Sequence, residues 1–277
     1  RNICLGTNTT IGGSPTGPAG ATFAWDNGAS LNNASIANPI ATPTTTTTYT
    51  VTVNDGNGCV DTDQVTVTVD PLPNVDAGPD QTICEGSNVV IGGSPTSSTA
   101  SATFVWNNGA TLDNTTIANP TANPVVTTTY TVTVTHPNGC TDTDQMTVNV
   151  DPAPTTDAGV DQDICIGQSA TLGGSPTGPA GSGFVWAPAA SLDNSTIANP
   201  TATPAVTTVY TVTGTDGNGC TNTDQITITV NPLPTVDAGL DQTICNGDNA
   251  TLGGSPTGPA GSTYNWDNGA SLNDPTA

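Results

Sequence analysis

The chain has 277 residues, a net charge of −22 and one basic residue, Arg1. This composition excludes a protein that binds nucleic acid or an anionic membrane, because basic side chains hold both kinds of ligand. Charged residues make up only 9% of the chain, which is too few for a disordered acidic tail. No apolar run reaches 18 residues, so we predict no membrane insertion.

One pattern recurs four times along the chain. The motif Ile-Cys-x-Gly begins at Ile3, Ile83, Ile164 and Ile244, at intervals of 80, 81 and 80 residues. This period is too long for a solenoid and is typical of an array of small domains. We predict four repeats, cut from a longer array: 1–73, which lacks the start of the pattern, 74–154, 155–234, and 235–277, which stops partway through it.

Every predicted element is a strand. Residues 49–53 alternate apolar residues with Thr, the period of a half-buried strand, and 65–69 return after a turn at 55–58. Residues 88–91 and 103–106 are predicted as further short strands, and the same hairpin recurs at 130–150 and 210–230. Short strands with frequent turn residues predict an all-β fold of sandwich domains.

The aromatic residues occupy equivalent positions in the repeats, and none is left over for a sugar-binding platform. We predict that they form the core of each sandwich. They are Phe23, Phe104, Phe184 and Tyr264; Trp25, Trp106, Trp186 and Trp266; and Tyr49, Tyr130 and Tyr210.

The sequence resembles the polycystic-kidney-disease (PKD) type of immunoglobulin-like domain. The resemblance rests on residues 75–83 (Val-Asp-Ala-Gly-Pro-Asp-Gln-Thr-Ile), the Trp strand, and the Tyr-Thr-Val-Thr-Val hairpin. This chain has the form of the domain that contains cysteines and the motif Asn-Pro-Thr-Ala-x-Pro. That form is similar to repeats of very large secreted surface proteins of Bacteroidota. One departure concerns the Trp-Asp-x-Gly-Asp loop of PKD domains. It survives in part at 25–28 and 266–269 and is lost at 186–188.

The cysteines predict disulfides and an oxidising, extracellular location. One arrangement closes a loop of about 55 residues within each repeat. The immunoglobulin-like topology implied by the resemblance puts the two cysteines of a repeat at opposite poles, too far apart for a bond. We therefore favour bonds between neighbouring repeats, Cys4 to Cys140 and Cys84 to Cys220. The candidate disulfide cysteines are Cys4, Cys59, Cys84, Cys140, Cys165, Cys220 and Cys245.

Linkers and acidic residues complete the predicted domain junctions. The segments 70–73, 151–154 and 231–234 each carry Pro-x-Pro, which favours an extended path and predicts a rod. Asp residues flank these linkers, and carboxylates are ligands that calcium prefers, although a solubilising surface and turn chemistry is the favoured alternative. The calcium candidates are Asp61, Asp63, Asp76, Asp80, Asp142, Asp144, Asp157, Asp161, Asp237 and Asp241, and Asn222 replaces one acid in the third repeat.

Catalytic patterns do not occur in the sequence. The one histidine, His136, lies at a hairpin turn where other repeats carry Asp55 and Asp216, and there is no Lys and no phosphate loop or metalloprotease motif. We therefore predict a chain without enzymatic activity.

The family resemblance implies the stalk of a large cell-surface adhesin, of the kind used in attachment or gliding. One alternative is a self-assembling filament or sheath, and another is a set of spacer domains in a secreted hydrolase. The expected partners are neighbouring repeats and other copies of the chain.

Overall fold

The computed structural model describes residues 1–14, 16–255, 257–267 and 272. It divides into two compact units, 1–152 and 153–277, and the boundary falls within the Pro-x-Pro segment 151–154. Asn268 and Gly269 of the fourth Trp loop lie outside the described residues, as does most of the end of the fourth repeat. Among the described residues, no helix is long and apolar enough to cross a membrane.

Unit 1 contains the first two repeats. The strands of repeat 1 are β1 (Asn2–Cys4), β2 (Thr9–Thr10), β3 (Thr22–Trp25), β4 (Ile40–Ala41), β5 (Thr47–Asn54) and β6 (Val60–Asp70). The strands of repeat 2 are β7 (Gln81–Cys84), β8 (Val89–Val90), β9 (Thr103–Trp106), β10 (Thr121–Ala122), β11 (Thr128–Thr135) and β12 (Thr141–Asp151). A 3-10 turn follows the Trp strand in each, at Gly28–Ser30 and Gly109–Thr111.

Unit 2 contains the third repeat and the described part of the fourth. The strands of repeat 3 are β13 (Gln162–Cys165), β14 (Ala170–Thr171), β15 (Gly183–Ala187), β16 (Thr201–Ala202), β17 (Thr208–Thr215) and β18 (Thr221–Asn231). In the described part of repeat 4, no residue after 234 lies in a strand.

Repeats 1 to 3 share one topology. A four-stranded sheet has the order β1-β6-β5-β3 in repeat 1, and the same order recurs as β7-β12-β11-β9 and β13-β18-β17-β15. The first strand runs parallel to the last, and the other pairs are antiparallel. A two-stranded sheet, β2 with β4 in repeat 1, completes each domain. This is an all-β, immunoglobulin-like sandwich repeated in tandem, as the sequence predicted.

The core of each sandwich lies on the inner face of the hairpin. Tyr49, Tyr130 and Tyr210 are fully buried, and Trp25, Trp106 and Trp186 are buried above them. The three equivalent Phe side chains pack against these cores while partly exposed. The predicted core role of the aromatics is confirmed in repeats 1 to 3. In repeat 4, Tyr264 and Trp266 are only half-buried.

The predicted hairpins are confirmed, and the observed strands are longer. Strands β5 and β6 pair in register from Thr47 with Val67 to Asn54 with Val60. The second sheet is shorter than expected, since the strand predicted at 88–91 is reduced to Val89–Val90. The Gly-rich segment that follows it instead binds the chain that leads into β7.

Candidate functional site

The two cysteines of a repeat lie at opposite ends of the last strand. In repeat 2, Cys84 ends β7 and pairs in register with Asp151 at the end of β12, whereas Cys140 immediately precedes β12. An 11-residue strand is about 36 Å long, and a disulfide requires Cα atoms within about 7 Å. A disulfide within one repeat is therefore excluded by the geometry of the sheet.

The observed disulfide joins two successive repeats. Cys4 is bonded to Cys140 with an S–S distance of 2.02 Å, a Cα–Cα distance of 5.6 Å and a sequence separation of 136 residues. Cys140 is 1% exposed, so the bond is covered from solvent at this end. The favoured prediction for this pair is confirmed. Cys84 and Cys220 are also disulfide-bonded.

Three cysteines predicted to be in disulfides are free thiols. Cys59, Cys165 and Cys245 are exposed and form no disulfide within this chain, so the disulfides of these three remain a prediction. In the bond between Cys4 and Cys140, the first cysteine of one repeat reaches the second cysteine of the next.

A hydrogen-bonded loop presents the second cysteine of each repeat. Asp55 Oδ1 accepts the N–H groups of Asn57 (2.8 Å) and Cys59 (3.1 Å). These bonds, the one from Asn57 foremost, lower the pKa of Asp55 below its ordinary value of 3.8. In repeat 2 the same place is taken by His136, whose Nδ1 accepts the N–H of Asn138 at 3.1 Å. His136 is thus an element of the turn.

Eight of the ten acidic residues predicted as calcium ligands accept hydrogen bonds from backbone N–H groups. Beside the linkers these bonds are of two kinds. Asp76 Oδ1 closes a local turn by accepting the N–H of Gly78 at 2.8 Å. Asp80 Oδ1 binds the last strand of its repeat by accepting the N–H of Thr147 at 2.7 Å. Asp157 and Asp161 repeat both contacts, and Asp237 repeats the first. Asp61 and Asp142 each bind the N–H of the next residue. No cluster of three potential metal-ligating side chains occurs among the described residues.

Asp144 and Asp63 are equivalent in sequence but differ in their contacts. Asp144 Oδ2 accepts the N–H of the buried Ala77 at 2.9 Å, and Asp224 Oδ2 accepts that of Ala158 at 2.8 Å. Asp63 is exposed and lines an open groove of about 500 Å³.

Three other polar contacts recur and were missed in the sequence. The Tyr hydroxyl in the core lies 2.7 Å from Ser30 Oγ in repeat 1 and from Thr111 Oγ1 in repeat 2. The side chain after the first two Trp residues, Asp26 or Asn107, accepts a backbone N–H of the facing strand at 2.7 Å. The Asn of Asn-Pro also binds carbonyl groups in the segment that follows β8, as Asn119 Nδ2 does with Gly93 O at 3.0 Å.

The missing acid of the third Trp loop is replaced by backbone pairing. In repeat 1, Asp26 accepts the N–H of Thr50. At the equivalent place in repeat 3, strand β15 continues through Ala187, which pairs directly with Thr211 of β17. The aspartate of this loop therefore has a structural role at the end of a strand, and a longer strand fulfils it in repeat 3.

Comparison with known proteins gives structural neighbours only, since no family model and no curated sequence matches the chain. The chain is similar to three titin immunoglobulin domains, I67–I69, at 14% identity and a TM-score of 0.36, covering 83% of this chain and 95% of that one. It is similar to insect hemolin at 14% identity and a TM-score of 0.32, covering 83% and 73%. A SusE-like, surface-located polysaccharide-binding protein of Bacteroides thetaiotaomicron matches at 11% identity and a TM-score of 0.36, covering 62% and 36%.

Proposed function

We propose that the chain is a non-enzymatic, extracellular structural region, the disulfide-stabilised stalk of a large bacterial surface adhesin built from PKD-type repeats. The observation that carries this proposal is the disulfide between Cys4 and Cys140. A bond between successive domains restrains their relative motion. A stalk under tension needs this restraint, and a binding module does not. Disulfides of this kind form in oxidising compartments, which supports a location outside the cell.

Further disulfides support the same role. Cys84 and Cys220 are each disulfide-bonded. The Pro-x-Pro linkers favour an extended path between sandwiches, so that the array forms a rod. The net charge of −22 keeps neighbouring stalks apart through mutual repulsion.

Single-molecule stretching of the chain, held at its two termini, tests the mechanical role. While Cys4 and Cys140 are bonded, the applied force cannot extend the part of the chain between them, a sequence separation of 136 residues. Adding a reductant is expected to lengthen the fully unfolded chain by at least roughly 450 Å, at about 3.3–3.6 Å per residue. An identical contour length before and after reduction would contradict the proposal. A chain with Cys4→Ser and Cys140→Ser is the control, since it lacks the first bond from the start.

Antibody labelling of intact cells that produce the native protein tests the finer claim. Labelling along threads that leave the cell surface supports the stalk. Labelling confined to a soluble enzyme in the medium would favour the hydrolase spacer and overturn the stalk.

A further inference from the structure

The same tripeptide recurs in one loop of each of repeats 1 to 3. It is Asn-x-Ser/Thr, the acceptor motif for N-linked glycans in secreted proteins. The three copies begin at Asn33, Asn114 and Asn194, and each is followed by Ile-Ala-Asn-Pro. The Asn and the Ser or Thr of every copy are exposed. Because so short a motif also arises by chance in a chain rich in Asn and Thr, the geometry of each copy decides which of them act.

In repeats 2 and 3 the tripeptide is closed by two hydrogen bonds to the Asn side chain. Asn114 Oδ1 accepts the N–H of Thr116 at 2.8 Å and its hydroxyl at 2.9 Å. Asn194 Oδ1 accepts the N–H of Thr196 at 2.9 Å and its hydroxyl at 2.8 Å. Both bonds use the amide oxygen. Among the described residues, the amide nitrogens Nδ2 of Asn114 and Asn194 donate to no group of the chain, so the atoms that would carry a glycan are free.

Backbone bonds hold the tripeptide against the edge of the four-stranded sheet. Strand β9 is an edge strand, and the backbone N–H of Trp106 donates to Thr115 O, in the middle of the tripeptide, at 2.9 Å. The indole N–H of Trp106 donates to Ile117 O at 3.0 Å. In repeat 3, Trp186 makes both bonds to the equivalent residues. The Asn side chain is therefore presented at a fixed place on the outside of the sandwich.

Other copies of the motif lack the complete turn. The motif also begins at Asn8 and Asn249, outside these loops. Thr10 lies in strand β2, where residues two apart are separated by about 6.5–7 Å along the chain. Among the described residues, the Thr10 hydroxyl makes no bond to Asn8. In repeat 1, Asn33 Oδ1 accepts the N–H of Ser35 at 2.9 Å, which is one of the two bonds.

We propose that Asn114 and Asn194 are acceptors of N-linked glycans, and that the closed turn selects them over Asn8. The donor is an oligosaccharide joined to a lipid through pyrophosphate. The bond from Nδ2 to C1 of the first sugar forms and the bond from C1 to the pyrophosphate oxygen breaks. The lipid pyrophosphate leaves with the electron pair, and an Nδ2 proton passes to a base of the transferase. This inference is independent of the stalk proposal, which stands if it fails.

The Thr hydroxyl makes the amide nitrogen a better nucleophile. An amide nitrogen is weakly reactive because it shares its lone pair with the carbonyl oxygen. A hydroxyl that donates to Oδ1 stabilises the negative charge that this oxygen takes when Nδ2 loses a proton, as the donors of an oxyanion hole do. Thr116 and Thr196 already hold that position. Asn33, with the backbone bond alone, is expected to be modified to a lower level.

A glycan at this place protects the edge of the sheet. Edge strands carry unpaired backbone groups and pair with other chains unless something covers them. Strands β9 and β15 are the edge strands beside the two loops, and a bulky glycan there keeps a second chain away. It also covers Ile117, which is 40% exposed. Ile117 lies within about 11 Å of Asn114, because three residues span at most 3.3–3.6 Å each.

The experiment is glycopeptide mass spectrometry of the native protein. Trypsin does not divide the chain, which has no Lys and has Arg only at position 1, so a protease that cleaves before Asp is used. After reduction it releases the sites on separate peptides: 1–25 with Asn8, 26–54 with Asn33, 113–141 with Asn114 and 193–215 with Asn194. Sugar masses are expected on Asn114 and Asn194, at a lower level on Asn33, and not on Asn8.

Variants made in the same cells test the turn. Thr116→Val keeps the shape of the side chain and removes the hydroxyl, so the glycan on Asn114 is expected to be lost. Thr116→Ser is the matched control, because it keeps the hydroxyl and is expected to keep the glycan. Asn194 of the same molecule reports intact folding and modification in both. Ser35→Thr supplies the second bond in repeat 1 and is expected to raise the modified fraction of Asn33.

Three results would overturn the proposal. One is native protein in which Asn114 and Asn194 are both unmodified. Another is sugar attached to Ser or Thr and not to Asn, which fragmentation by electron transfer distinguishes. The third is equal modification of Asn8 and Asn114, which would show that the closed turn does not select the acceptor.

Discussion

The carboxylate of Asp144 accepts the N–H of Ala77 across 67 residues of sequence, at 2.9 Å. This bond ties the segment ahead of β7 to β12, and Asp224 and Ala158 reproduce it in repeat 3. An acidic side chain on the inner face of a strand, which in sequence suggests a metal ligand, thereby has a structural role.

Replacing Asp144 with Ala is expected to destabilise repeat 2 by about 1–3 kcal/mol, because the buried N–H of Ala77 loses its acceptor. Hydrogen exchange of the core amides of repeat 2 measures this change within one repeat. Asp63→Ala is the matched control in repeat 1, where Asp63 is exposed, and a change in stability below about 0.5 kcal/mol is expected. Equal losses in the two variants would refute the role assigned to Asp144.

Calcium binding remains a prediction from the sequence, and its direct test is thermal unfolding with calcium chloride or with a chelator. We expect the same melting temperature in both, because Asp80 and Asp161 already accept backbone N–H groups of the last strand. A rise in melting temperature with calcium that Asp76→Asn abolishes would instead establish a site beside the linker.

The hydroxyl of Tyr130 is expected to stabilise repeat 2 by about 1 kcal/mol, the value of a typical buried hydrogen bond. Tyr130 is fully buried and its hydroxyl lies 2.7 Å from Thr111 Oγ1. Tyr130→Phe keeps the ring and removes the bond, and the loss is measured by hydrogen exchange in repeat 2. Tyr264→Phe is the control, since Tyr264 occupies a position where the other repeats carry Phe. An unchanged exchange rate in Tyr130→Phe would show that the hydroxyl contributes nothing.

Asp193 is expected to make the third repeat sensitive to acid. Its Oδ1 accepts the N–H of Thr201 at 2.8 Å, and this bond is the first cause of a pKa below the ordinary 3.8. Because the folded-state pKa is depressed, the contribution is present above pH 3.8 and is lost as the pH falls through the folded-state value.

The variant Asp193→Asn tests this expectation. Asn32 fills the equivalent position in repeat 1 and accepts the N–H of Ile40 at 2.8 Å, so the amide keeps the bond. The variant should match the parent at pH 7 and lose less stability below pH 3.8. A carboxyl titration of Asp193 by NMR at or above 3.8 would contradict the assigned shift.

The sequence predicted those parts of the fold in which side-chain alternation and burial agree. Tyr49, Val51 and Val53 alternate with Thr, and the hairpin formed where expected. The inward position of Asp144 could not be predicted, because its partner is a backbone N–H that sequence patterns do not mark. The extension of β15 through Ala187 depends on pairing with Thr211, a tertiary contact.

For the cysteines, too, the sequence predicted one part of the result and the structure supplied the other. From the sequence, the topology that the family resemblance implies favoured bonds between repeats and left a bond within one repeat open. The structure adds that Cys4 is bonded to Cys140 and that Cys59, Cys165 and Cys245 form no disulfide within this chain.

The most direct test of a stalk built from bonded repeats is disulfide mapping of the non-reduced protein by peptide mass spectrometry. The structure predicts a linked peptide pair containing Cys4 and Cys140, and unmodified peptides for Cys59, Cys165 and Cys245 once free thiols are alkylated before digestion. A pair linking Cys4 with Cys59, or Cys84 with Cys140, would place the disulfides within single repeats and contradict the account.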